Sequence, residues 1–179
     1  MINGVKIFDC KRFADNRGFL TEIAKASQIP EFTWKQTNFT VAFPGVIKAF
    51  HWHKLQTDLW FCVSGNIEAV LYDRREDSPT RGETQAIAMG EFNSVAVLIP
   101  QGVAHGYRVL GEKSAGLVYL VNQEYDAKNP DEERIPHDDN QIGFNWETQP
   151  RGRRFSSLAA AVSSLRISCG CFYAKLLTK

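Results

Sequence analysis

Three of the chain's four histidines fall in two short stretches, His51 and His53 in one and His105 in the other. In an extended strand, residues two apart share a face, so His51 and His53 point the same way. A strand beginning near Asp58 adds a carboxylate beside them, and the turn Pro100-Gln101-Gly102 delivers His105. Imidazoles exchange protons near neutral pH. Neutral imidazoles with a carboxylate also suit divalent iron, nickel, manganese or zinc. The same groups could equally hydrogen-bond to one another inside a core. The residues leave all three uses open.

The elements that must position these groups are strands. Between about Gly45 and Gln123 the apolar residues recur with a period near two. This pattern predicts strands at Val46–His53, Leu59–Ser64, Asn66–Asp73, Thr84–Met89, Ser94–Ile99, His105–Leu110 and Leu117–Asn122, all rich in β-branched and aromatic residues. Turn signals such as Ser64-Gly65-Asn66 and Leu110-Gly111-Glu112 separate them. Short strands at such spacing indicate an all-β sandwich or barrel. Residues from about Tyr125 to Trp146 read as loop and short irregular structure. The chain divides at about residue 150 into a domain, 1–150, and an irregular or partly helical C-terminal tail, 151–179. The tail opens on a basic run at Arg151, Arg153 and Arg154, and reads as a mobile or weakly docked appendage.

Composition narrows the partners. Twenty-one basic and twenty acidic residues give a net charge of +1, which argues against nucleic acid or an anionic membrane as the main partner. The first residues lack the pattern of a signal peptide, and no run has the length of a membrane span. Cys10, Cys62, Cys169 and Cys171 match no common zinc or redox spacing and read as reduced thiols of a cytoplasmic protein.

Gly45, His51, His53, Asp58 and Gly65, followed by Pro100, Gly102 and His105, resemble in order the two motifs of the cupins. The resemblance implies a cupin-type β-barrel of jelly-roll form. In metal-binding cupins the two histidines, the acid and the later histidine hold one divalent ion, which here would be His51, His53, Asp58 and His105. A narrower resemblance is to the dTDP-4-dehydrorhamnose 3,5-epimerases. It rests on Phe13 to Glu22 (with Asp15, Arg17 and Gly18), Gln36 to Thr40, Gly45 to His51, Asp73-Arg74 with Ser78-Pro79-Thr80, and Ile99 to Gly106. It runs from about Phe8 to Trp146.

That family inverts carbons flanking a sugar 4-ketone, which takes a base, an enolate stabiliser and a proton donor. By resemblance His51 is the base, Tyr119 the donor and His105 a second pocket histidine. Arg17 and Glu22 hold the nucleotide diphosphate and base, Gln36 and Asn38 line the pocket, and Lys48 stands near the phosphates. Arg17 reaching a neighbouring subunit's site implies a homodimer. No cofactor is required in this reading.

The chain departs from the family's pattern in three places. Asp58 stands where the family has a lysine, His53 where it usually has glutamine, and no carboxylate after Glu147 matches the one that orients the base. The gain of His53 and Asp58 restores a metal-ligand set, so a divalent-metal cupin with other small-molecule chemistry is the alternative. A non-catalytic sugar-binding cupin is the third. Arg17-Gly18 also reads as a plain turn with a surface ion pair, and Tyr119 as a core aromatic.

Overall fold

The computed structural model describes residues 1–147 and the short strand at 174–176. Among the described residues thirteen strands follow one another: β1 (Lys6–Asp9), β2 (Arg12–Asp15), β3 (Gly18–Thr21), β4 (Gln36–Ala42), β5 (Val46–Trp52), β6 (Asp58–Ser64), β7 (Asn66–Asp73), β8 (Thr84–Gly90), β9 (Val95–Ile99), β10 (Val103–Leu110), β11 (Ala115–Val121), β12 (Glu133–Arg134) and β13 (Ala174–Leu176). Among the described residues the helical content is a single 3-10 turn at Ala26–Gln28, and no helix is long and apolar enough to cross a membrane. The cupin-type, all-β expectation holds.

Two sheets face each other. One has the order β1-β9-β6-β11-β4 and the other β12-β5-β10-β7-β8, with β13 also paired to β5. All pairings are antiparallel, and β2 and β3 form a separate hairpin. Inward side chains from both sheets, among them Trp60, Leu117, Leu71 and Val97, form the main core. Alternation along each strand sends the intervening residues outward, and in a typical sandwich those would be polar. Here both outer faces carry a second apolar layer instead. Leu59, Phe61 and Leu98 are covered by Ile29 and Phe32 from the segment after β3. Ile47, Phe50 and Val70 are covered by Ile142 and Trp146. Polar residues 125–146 therefore form a strap with apolar anchors. Arg108 donates to the Trp146 carbonyl and pairs with Glu68 at 2.7 Å beneath it.

The tail expected at 151–179 lies outside the described residues except for β13, which runs beside Val46–Lys48 of β5. Cys10 and Cys62 are buried and unpaired, while Cys169 and Cys171 lie outside the described residues.

Candidate active site

His51 and His105 face each other across the β5–β10 ladder, and that pairing depends on an irregularity. Arg108 and Tyr107 oppose Ile47 and Lys48, but His105 opposes His51, one residue out of step. The extra residue lies in the Ala49–Phe50 stretch, whose peptide is cis. A strict period of two from Val46 and Lys48 would send Phe50 inward and His51 out. The slip reverses this: Phe50 joins the outer layer under Trp146, and His51 turns toward the interior. Gly106 makes the close approach possible, because a Cβ there would lie 2.4 Å from the Ala49 Cβ.

The ring centres of His51 and His105 are 4.2 Å apart, those of His51 and His53 5.3 Å, and those of His53 and His105 5.5 Å. Asp58, the first residue of β6, comes from the opposite sheet and is fully buried. One ligating atom from each of His51, His53, Asp58 and His105 lies within 4.8 Å of all the others.

Local partners fix these groups. His53 Nδ1 meets the Asp131 carbonyl, and His105 Nδ1 meets the Val103 carbonyl at 2.8 Å. A carbonyl only accepts, so each Nδ1 carries the proton and each Nε2 keeps a lone pair. His105 Nε2 is buried without a hydrogen-bond partner, 3.7 Å from Asp58 Oδ2. Asp58 accepts from the Trp60 indole at 3.0 Å and from the Gln56 amide at 2.8 Å; the same Gln56 nitrogen is 3.1 Å from His53 Nε2. Burial pushes the His105 imidazole down to about 4, against the pull of Asp58. His51 is held well below its ordinary value by burial, helped by His105, His53 and Arg134. Both rings are neutral at neutral pH.

The remaining expected residues divide into two groups. Tyr119 on β11 stands between Asn38 of β4 and Trp60 of β6 and packs on the main core. Gln36 donates to Asn38 at 2.7 Å, and Lys48 Nζ donates to Thr40 at 2.9 Å, where desolvation lowers its pKa. Gln36, Asn38 and Thr40 are the half-buried positions of β4, alternating with exposed Thr37, Phe39 and Val41. The structure thus brings Gln36, Asn38, Lys48 and Tyr119 onto the walls of one interior. Arg17 and Glu22 are engaged elsewhere. Arg17 sits in the β2–β3 turn, its side chain 85% exposed and 2.6 Å from Asp15, and Glu22 pairs with Lys25 at 2.8 Å. Gln56 and Trp60, which hold Asp58, belong to the candidate site but were not singled out by the sequence reading. Their one signal was the two-residue spacing of Gln56, Asp58 and Trp60.

A family model described as dTDP-4-dehydrorhamnose 3,5-epimerase matches residues 1–165. The spore coat polysaccharide biosynthesis protein SpsL of Bacillus subtilis is 48% identical over 151 residues, 84% of this chain and 100% of that protein. The dTDP-4-dehydrorhamnose 3,5-epimerase of Shigella flexneri is 31% identical over 156 residues, 83% of this chain and 84% of that one. Among solved structures, the epimerase of Legionella pneumophila in complex with dTDP-4-keto-L-rhamnose superposes with a TM-score of 0.74 at 28% identity. That match covers 83% of this chain and 81% of that chain.

Proposed function

The chain belongs to the dTDP-4-dehydrorhamnose 3,5-epimerase family, and from that premise we propose how its site inverts a carbon beside the ketone of a dTDP-linked 4-keto-6-deoxyhexose. Inversion removes a proton from one face of the sugar ring and returns one to the other. The observation that carries the reading is that His51 and Tyr119 stand on opposed sheets, β5 in one wall and β11 in the other. A ring lying between them has an imidazole on one face and a phenol on the other.

His51 takes the α-proton at a ring nitrogen. Its neutral form is fully populated at neutral pH, although its low basicity slows the transfer. The enolate is then protonated on its far face by the Tyr119 hydroxyl. His105, with its proton committed to Val103, orients the His51 ring rather than donating to the enolate. Lys48, Gln36 and Asn38 supply polar contacts for the diphosphate and sugar. No cofactor enters these steps.

The assembly in this reading is a homodimer in which the β2–β3 hairpin carries Arg17 and Glu22 to the partner's pocket. The exposed Arg17 side chain and the exposed Phe13, Phe19 and Leu20 of that hairpin support it. Buried, unpaired Cys10 and Cys62 suit a reducing cytoplasm.

The test is solvent exchange. Incubation with a dTDP-4-keto-6-deoxyhexose in deuterated water places deuterium beside the ketone, read by mass. His51→Asn abolishes the incorporation. Tyr119→Phe slows product formation more than exchange, because abstraction proceeds without the donor. Absence of exchange with several such substrates rejects the reading.

A further inference from the structure

Removal of an α-proton leaves negative charge on the ketone oxygen, and the steps above give that charge no counterpart. The family's lysine position holds Asp58, a carboxylate, and the His105 proton is committed to the Val103 carbonyl. Tyr119 acts on the far face. A cation does stand beside the base on its own wall, and it comes from a segment whose sequence reads as loop.

We propose that Arg134 is a catalytic residue of this site, its guanidinium donating to the ketone oxygen as the enolate forms. The inference rests on the epimerase reading and assigns the stabilising group which that reading lacks. Strand register places the residue. Ile135 and Phe50 exchange both backbone hydrogen bonds at 3.0 Å. The next pair, Arg134 and His51, is therefore the non-hydrogen-bonded one, in which side chains stand closest and on one face. Phe50 and Ile135 both pack in the outer layer, so their neighbours His51 and Arg134 both turn to the pocket side. Glu133, by contrast, opposes Trp52 and pairs with Lys54. Arg134, His51 and His105 thus form a row across the adjacent strands β12, β5 and β10. The guanidinium is close enough for its charge to act on the His51 ring.

The segment is pinned on both sides of β12. The Asp131 carboxylate accepts from the backbone N–H groups of Lys54, Leu55 and Gln56 at 2.9, 2.8 and 2.9 Å, and the Asp131 carbonyl meets His53. Ile142 and Trp146 anchor the other end of the strap. Glu132 holds Arg134 Nε at 3.0 Å, which orients the guanidinium plane and occupies one of its five donors. The Arg134 side chain is 49% exposed, so a ligand can reach it.

In the resulting step the α C–H bond breaks, its proton passes to His51, and the electron pair comes to rest on the ketone oxygen. That oxygen accepts a hydrogen bond from Arg134, which keeps its own proton because a guanidinium does not deprotonate near neutral pH. A donor placed in advance at a developing oxyanion is worth about 100-fold or more in rate. A diphosphate contact is the competing role for such a cation, but Lys48 already serves there, three residues back along β5.

Two measurements on the full chain separate these roles from each other and from a purely structural ion pair with Glu132. Deuterium incorporation into a dTDP-4-keto-6-deoxyhexose, and calorimetric binding of dTDP, which carries no sugar ketone, are followed in wild type, Arg134→Gln and Arg134→Lys. Arg134→Gln should lower kcat for exchange about 100-fold or more, with KM changed less than about threefold and dTDP binding within about twofold of wild type. Arg134→Lys should recover at least about a tenth of wild-type kcat, because it returns the charge without the planar fork. Circular dichroism and dTDP binding show that each variant is folded. Weaker dTDP binding and a raised KM with unchanged kcat assign Arg134 to the diphosphate and overturn the proposal. So does equal loss in both variants, which makes the charge irrelevant. Wild type that exchanges nothing sinks the epimerase reading and this inference with it, whereas exchange that survives Arg134→Gln sinks this inference alone.

Discussion

Asp73 shows how much one residue of the family-like pattern does for structure alone. It is fully buried at the end of β7 and accepts from Arg75, Ser78 and Thr80, with Arg75 at 2.8 Å. Burial would raise its carboxyl, but these hydrogen bonds outweigh that and hold it well below the ordinary value of 3.8. A carboxylate depressed in the folded state stabilises above its unfolded value, and that stability drains away as pH falls below it. Wild-type stability should therefore drop as pH falls through about 4. Asp73→Asn should cost about 3 kcal/mol at neutral pH, since it strands a partly buried arginine, and should flatten the acid limb. Urea titrations from pH 7 to about pH 3 measure both, and an unchanged acid limb in the variant would refute the assignment. The Asp73, Ser78 and Thr80 positions were legible in the sequence as a signature, but their purpose was not. They form a turn, whereas the candidate site gathers His51, His53, Asp58 and His105. Those four were legible because strand periodicity and a Pro-Gly turn point them to one place. Gln56 escaped because an amide joins a site through its contacts and not through any spacing of its own.

At the scale of elements, the strands between Gly45 and Gln123 lie within about two residues of where the sequence put them, because runs of β-branched and aromatic residues bounded by turn signals mark their ends. The strands before Gly45 were not among those expected. In β4 the usual code is inverted: Gln36, Asn38 and Thr40 face the interior while Phe39 and Val41 face out, so hydrophobicity misleads. Nor could alternation reveal the slip between Lys48 and His51, since a bulge adds one residue without changing composition. That slip makes Gly106 a sensitive point. Its substituent would meet Ala49 Cα at 2.7 Å and the Lys48 carbonyl at 2.8 Å, both backbone atoms that cannot rotate away. Gly106→Ala should force β5 off β10 beside the histidines, costing about 2–3 kcal/mol. Solvent exchange should fall by more than any loss of folded protein explains. Thermal unfolding alongside exchange tests this, and a variant with wild-type exchange would show that the strands do not hold His51 in register.

The whole molecule covers one end of each outer sheet face and leaves other apolar surface open. The segment around Ile29 and Phe32 covers one sheet and the strap around Ile142 and Trp146 the other. Phe39, Val41, Phe43 and Val63 remain exposed near the β4 edge, and Phe13, Phe19 and Leu20 on the β2–β3 hairpin. Apolar surface gathered in this way marks an interaction face more often than a solvent face. A two-fold dimer places the same patch on both partners, so the hairpin of each can reach across to the other. In the proposed dimer, Arg17 would serve a site whose His51 belongs to the other chain. Subunit mixing tests that arrangement directly. Arg17→Ala and His51→Asn homodimers should each be nearly inactive, because every site lacks one of the two groups. After co-refolding in equal amounts, half the dimers are mixed, and each mixed dimer holds one site with both groups intact. Activity should return to about a quarter of wild type, the share of intact sites under random two-fold pairing. If Arg17 served its own chain's pocket, each mixed dimer would contain two broken sites and the mixture would stay inactive. A chain that remained monomeric in light scattering would fail the prediction at its first step.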